Sequence, residues 1–170
     1  KRGSRGIRLD GGSYLEGGSL NLSEAGTLGL TMAAWIKPAP AGLMGNRMII
    51  CQWANEVAKD RFGFSINNGR PSLGIGDGVT GEQGFTADQN IATDRWTFVA
   101  ATWHPSTRQY RVYIDGRLTA TTGNQTGSGI NPNSPVTLKI GAQATDGHPR
   151  KFIGQIDDVW LGNALNPVGI

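Results

Sequence analysis

Apolar residues along this chain alternate with polar ones over short stretches, and no segment keeps the three-to-four spacing of a helix. Short β-prone runs recur between Gly, Asn, Asp and Pro, a pattern that predicts an all-β sandwich or barrel. The predicted strands cover residues 6–9, 28–37, 47–53, 61–66, 72–75, 96–103, 109–114, 118–121, 136–141 and 152–161. A turn of helix is expected only over 20–25, and Pro38 and Pro40 should close the second strand because proline cannot donate to a ladder.

Two hairpins follow from turn chemistry. Tyr110, Val112 and Ile114 alternate up to Asp115-Gly116, and Phe62, Phe64 and Ile66 alternate up to Asn67-Asn68-Gly69. Both turns place residues that tolerate positive φ where a tight connection needs them. The last predicted strand breaks its own alternation: Phe152, Gly154 and Ile156 share one parity, Val159 and Leu161 the other. One extra residue at Asp157-Asp158 restores the register, so a β-bulge is expected there.

Composition narrows the classes. The chain has 170 residues, 26 of them Gly, with 38% hydrophobic and 17% charged residues. One domain is the default at that length. Glycine shows no three-residue period, which excludes collagen, and no apolar run reaches the length of a membrane span. The single cysteine, Cys51, lies in the apolar run Met48-Ile49-Ile50-Cys51 and reads as a buried thiol. The net charge of +3 is misleading, because Lys1, Arg2, Arg5 and Arg8 supply four of the sixteen cations. The remaining twelve face thirteen acids, so residues 1–6 read as a basic arm, 7–165 as the domain and 166–170 as a tail. Scattered basic residues without a stripe speak against nucleic acid as a partner.

Four stretches resemble one family. They are Leu9-Asp10-Gly11-Gly12-Ser13-Tyr14-Leu15, Leu30 to Pro38, Trp96 to Trp103 with Arg111-Val112-Tyr113-Ile114-Asp115-Gly116, and Phe152 to Leu165. In this order they are similar to the laminin-G-like, concanavalin-A-type jelly rolls, common as accessory modules of bacterial secreted proteins. The resemblance implies a two-sheet antiparallel jelly-roll sandwich. It leaves function open, since the fold hosts lectins, adhesion domains and glycosidases.

Within that resemblance catalysis is disfavoured. The glucanases of this fold carry Glu-x-Asp-x-x-Glu on one strand, and Glu16, Glu24, Glu56 and Glu82 fit no such spacing. The Gln-x-His and Arg-x-Glu pairings of its lyases do not occur either. Modules of the family often hold structural Ca2+ between the first loop and the closing strand, which implies Asp10 and Asp157 as ligands beside backbone carbonyls. The string Gly76-Asp77-Gly78-Val79-Thr80-Gly81 has no helix after it to hold a phosphate and reads as a loop.

The expectation is a non-catalytic, carbohydrate-binding module of a secreted or surface protein, with an acidic polysaccharide among the candidate ligands. Aromatic faces stack on sugars and arginine forks hold hydroxyls and carboxylates. Arg111 and Tyr113 share the outer face of their strand, Trp53 and Trp103 are placed at strand ends, and Arg61 and Arg70 flank the 62–75 hairpin. The alternative is a structural or adhesion domain of a surface, filament or virion, with protein partners reached in part through the basic arm.

Overall fold

The computed structural model describes residues 6–18, 20, 22, 25–122, 129–143 and 150–163. Lys1, Arg2, Arg5, Asn21, Glu24, Asn124, His148, Ala164, Leu165 and the 166–170 tail lie outside them.

The chain forms two six-stranded antiparallel sheets packed face to face. One contains, in spatial order, β1 (Ile7–Asp10), β12 (Ile153–Asn163), β3 (Leu30–Pro38), β8 (Thr97–His104), β9 (Gln109–Ile114) and β10 (Arg117–Thr122). The other contains β2 (Leu15–Glu16), β11 (Lys139–Ile140), β4 (Asn46–Gln52), β5 (Phe62–Asn67), β6 (Arg70–Gly76) and β7 (Glu82–Thr86). These crossovers make the jelly roll that the sequence resemblance implied. Among the described residues no helix is long and apolar enough to cross a membrane.

Period-two alternation builds the core. Leu30, Met32, Ala34 and Ile36 of β3, Val99, Ala101 and Trp103 of β8, and Tyr110, Val112 and Ile114 of β9 point inward. They meet Ile49, Ile50, Phe62, Phe64, Ile66, Leu73 and Ile75 from the other sheet. Each large apolar side chain so buried contributes about 1.5–3 kcal/mol. What each strand leaves on the opposite parity then decides what the outer faces carry.

Both hairpin turns form, with Asn68 and Gly69 at φ 47° and 82° and Asp115 and Gly116 at 49° and 77°. The bulge expected in β12 is present: its register against β3 shifts between Asp157 and Trp160, and Asp158 sits at φ 45°. The helical turn falls at Ala25–Leu28 instead of 20–25. Gly29, at φ 84°, ends it by donating its N–H to the Ala25 carbonyl, so β3 starts only at Leu30. Two strands were not expected, the two-residue β2 and the glycine-containing β7, while residues 136–141 keep ladder pairing only at Lys139–Ile140. The glycine string 76–81 is a loop in which the Asp77 carboxylate accepts from the Val79 and Thr80 N–H groups and the Thr80 hydroxyl.

Candidate functional site

The outer face of the β1-β12-β3-β8-β9-β10 sheet carries an unusual set of side chains for a solvent-facing parity. Register places Trp160 beside Ala33, Ala33 beside Ala100, Ala100 beside Tyr113 and Tyr113 beside Leu118. Two residues along, Asp157 lies beside Trp35 and Trp35 beside Phe98. Two residues the other way, Gly162, Thr31, Thr102, Arg111 and Thr121 form a polar row.

These rows make a trough. Ala33 and Ala100 at its base are themselves buried, 8% and 2% exposed, so the surface open to a ligand is that of the larger side chains beside them. With strands about 4.8 Å apart, those on β12 and β9 stand about 14 Å apart. Trp160 is 40% exposed and Leu118 52%. One end is closed by the Trp35–Phe98 pair, tilted at 53° with ring centroids 5.6 Å apart. At the other end Arg111 donates from Nη2 to Gln109 Oε1 over 3.2 Å. Beside it the Thr31 hydroxyl is buried and has no hydrogen-bond partner among the described residues. The Trp160 indole lies back over Gly162, where an added Cβ would come within 2.7 Å of Cζ2. Glycine there is what lets the ring rest on the strand.

The six predicted ligand residues divide. Arg111 and Tyr113 are brought together on this face, in neighbouring rows of β9. Arg70 is exposed at the start of β6, on the hairpin of the other sheet. Trp103 faces the main core at 3% exposure, because it continues the parity of Val99 and Ala101 instead of turning out at the strand end.

Trp53 is also 3% exposed, packed with Met48 and Cys51. A register shift between Met48 and Ile50 sends both Ile49 and Ile50 inward, so Cys51 and Trp53 share a side with Met48 and not with Ile49. Arg61 is buried and its guanidinium is spent on the protein. It donates to the carbonyls of Asn131 (2.7 Å), Pro132 (2.6 Å) and Leu20 (3.2 Å) and to Gln52 Oε1 (3.3 Å). Burial lowers its pKa below the ordinary arginine value. These three therefore hold the scaffold and offer no surface to a ligand.

The residues missed were Trp35, Phe98 and Trp160. Their signal was present, since each is an aromatic on the parity opposite the core residues of its own strand.

The structure places Asp10 and Asp157, the calcium ligands that the resemblance implies, at opposite ends of the β1–β12 pairing. Asp10 pairs with Ile153 at one end of β1, whereas Asp157 lies beyond Ile156, the partner of Ile7 at the other end. The strand rise separates them by about 13 Å. Asp10 Oδ1 is occupied by its own loop, accepting from Gly12 N–H (2.8 Å), Ser13 N–H (3.1 Å) and the Ser13 hydroxyl (3.0 Å). The Gly12 bond, then those from Ser13, lower its pKa to about 2. Asp157 Oδ1 accepts from the Asp158 N–H across the bulge. Among the described residues no group of three or more His, Cys, Asp or Glu side chains gathers to hold a metal.

Residues 9–168 match the family model of the concanavalin A-like lectin/glucanases superfamily. The chain belongs to that superfamily. Solved structures share its sandwich at low identity. The carbohydrate-binding module CBM40 of the Ruminococcus gnavus IT-sialidase, solved with α2,3-sialyllactose, is 15% identical, with 96% of this chain and 93% of that one covered and a TM-score of 0.66. A SAP-like pentraxin from Limulus polyphemus is 21% identical over 82% of this chain and 66% of its own, with a TM-score of 0.61. The LG1-3 region of the laminin α2 chain is 13% identical over 91% of this chain and 30% of its own, with a TM-score of 0.67. Likeness at these identities is a likeness of fold. No curated protein sequence matches the chain significantly.

Proposed function

We propose that this superfamily member is a non-catalytic glycan-binding module that holds a polysaccharide across the outer face of its β1-β12-β3-β8-β9-β10 sheet. The observation that carries the reading is the set of aromatic side chains gathered on that face, Trp160 and Tyr113 across the trough and Trp35–Phe98 at its end, with Arg111 at its edge. A sugar ring has an apolar C–H face that stacks on aromatic rings and a polar edge that takes hydrogen bonds. The trough offers both, from rigid strands that need little ordering on binding. The CBM40 module, solved with a sialylated sugar, shares this fold over nearly its whole length, which supports a glycan as ligand.

The carboxylates support a non-catalytic role. Asp157 and Asp115 flank the Trp35–Phe98 row on β12 and after β9, about 14 Å apart by strand spacing. That exceeds the separation that either glycosidase geometry requires. Asp115 is further held by Arg95 (2.8 Å) and by the Phe98 N–H. The setting in which such a module works is the cell exterior, as part of a secreted or surface protein.

A second reading has its own observation. Leu118 and Trp160 are large, apolar and exposed on one face, as an adhesion surface for a protein would be. A glycan array probed with the purified chain, with a sizing run beside it, separates the two. Binding to polysaccharide is the expected result. Ordered assembly with no glycan bound would overturn the first reading in favour of the second.

A further inference from the structure

At one corner of the same outer face a cavity of about 400 Å³ opens, bordered by Arg8, Lys37, Asp94, Gly154 and Gln155 among others. We propose that this cavity is an anion subsite that takes the carboxylate of an acidic sugar residue, so that the chain prefers carboxylated glycans to neutral ones. The proposal deepens the glycan reading and rests on it.

Three adjacent strands supply the charge. Arg8 of β1 pairs with Gln155 of β12, and Gln155 pairs with Lys37 of β3. Their neighbours Leu9, Ile156 and Ile36 are core residues, which puts all three polar side chains on the outer face. Two cations therefore flank an amide with about 4.8 Å between strands. Among the described residues neither Arg8 nor Lys37 takes part in an ion pair. Asp10, at the cavity edge, has Oδ1 committed to its own loop. Asp94 makes no ion pair with either cation and is placed to accept from a hydroxyl of the same sugar.

The floor is built without a ligand. Gly154 stands at φ 144°, and a side chain there would strike the Lys37 carbonyl, the Pro38 backbone and the Ala39 nitrogen. The Ala39 N–H donates to the Ile153 carbonyl at 3.0 Å. A planar carboxylate suits a guanidinium fork, with lysine as a point charge and the amide as a further donor. From this row to the Trp160 row the sheet extends about 13 Å, so one oligosaccharide can touch both.

Calorimetry with trisaccharides of galacturonate, of mannuronate, of a sulfated galactan and of neutral galactan tests the proposal. The wild-type chain is compared with R8Q/K37Q and with W160A/Y113A, and the Gln155 side-chain amide is followed by NMR. At least one uronate trisaccharide should bind about tenfold tighter than the neutral one and shift the Gln155 amide. R8Q/K37Q should erase that preference and leave neutral binding as it was. Three results would overturn the subsite: no uronate bound, a sulfated ligand bound as well as a uronate, or unchanged uronate binding by R8Q/K37Q. If R8Q/K37Q is silent while W160A/Y113A loses every glycan, the trough stands and the subsite falls. The reverse pattern leaves the subsite and removes the trough.

Discussion

Replacing Arg61 by Gln distinguishes a scaffold residue from a ligand residue. The change withdraws the guanidinium from four acceptors, two of them reached at 2.7 Å (Asn131 carbonyl) and 2.6 Å (Pro132 carbonyl). Hydrogen bonds from a charged donor contribute about 1.5–3 kcal/mol each, and acceptors left unpaired in the interior bear the full desolvation penalty. Counting only the two short bonds at the low end, and letting water reach the rest, the loss is about 3 kcal/mol. For a chain of this size that lowers Tm by about 6–12 °C. Urea unfolding followed by tryptophan fluorescence reads it directly. Arg111→Gln on the outer face, where the guanidinium bonds to Gln109, should move stability by no more than about 0.5 kcal/mol. If Arg61→Gln melted like the wild-type chain and lost glycan binding instead, the assignment of Arg61 to the scaffold would be refuted.

Other consequences follow from single residues. Asp10, with its pKa lowered to about 2 by its loop, contributes stability that is complete above the unfolded value of 3.8 and drains away as pH falls towards 2. Asp10→Asn should therefore be less stable than wild type at neutral pH, the gap closing below about pH 2 in acid titrations. Gly162→Ala must displace the Trp160 ring; weaker glycan binding with a small change in Tm is expected, and unaltered binding would show that the ring's resting place is immaterial. Because Asp10 and Asp157 lie apart, they should not share one ion, and the effects of Asp10→Asn and Asp157→Asn on the response of Tm to added calcium should be additive. Cys51, fully buried, should react with a thiol reagent only as fast as the chain unfolds.

Much of this was legible before the structure, and the exceptions have physical causes. Alternation through Tyr110, Val112 and Ile114 assigns Arg111 and Tyr113 to the outer face, where they are. A flip of parity at Asp157-Asp158 gives away the bulge, because polar and apolar residues alternate clearly on both sides of it. The bulge in β4 left no such trace. Met48, Ile49, Ile50 and Cys51 are all apolar, so nothing in the pattern inverts when the register shifts, and the sequence does not show that Trp53 packs with Met48 and Cys51 instead of standing open at the strand end.

Arg61 misleads for a different reason. Arginine is read as a surface residue by default, and the carbonyls that hold it come from Leu20, Asn131 and Pro132, far away in the chain. Trp35, Phe98 and Trp160 stand on the solvent parity of strands whose other parity is plainly core. They were visible as aromatics out of place, yet only the strand order β12-β3-β8-β9 shows that they border one trough with Tyr113. The short strands β2 and β7 are formed by edge pairing, not by any hydrophobic run of their own.

The central claim is that the trough on the outer sheet face binds glycan, and Trp160→Ala with Tyr113→Ala tests it most directly. Both side chains lie outside the core, so the double variant should keep its fold. The measurement is the dissociation constant of the double variant, by calorimetry, on a polysaccharide that the wild-type chain binds. Loss of two aromatic contacts at about 1 kcal/mol each predicts a weakening of about thirtyfold. An unchanged constant in a variant that melts like the wild type would contradict the account.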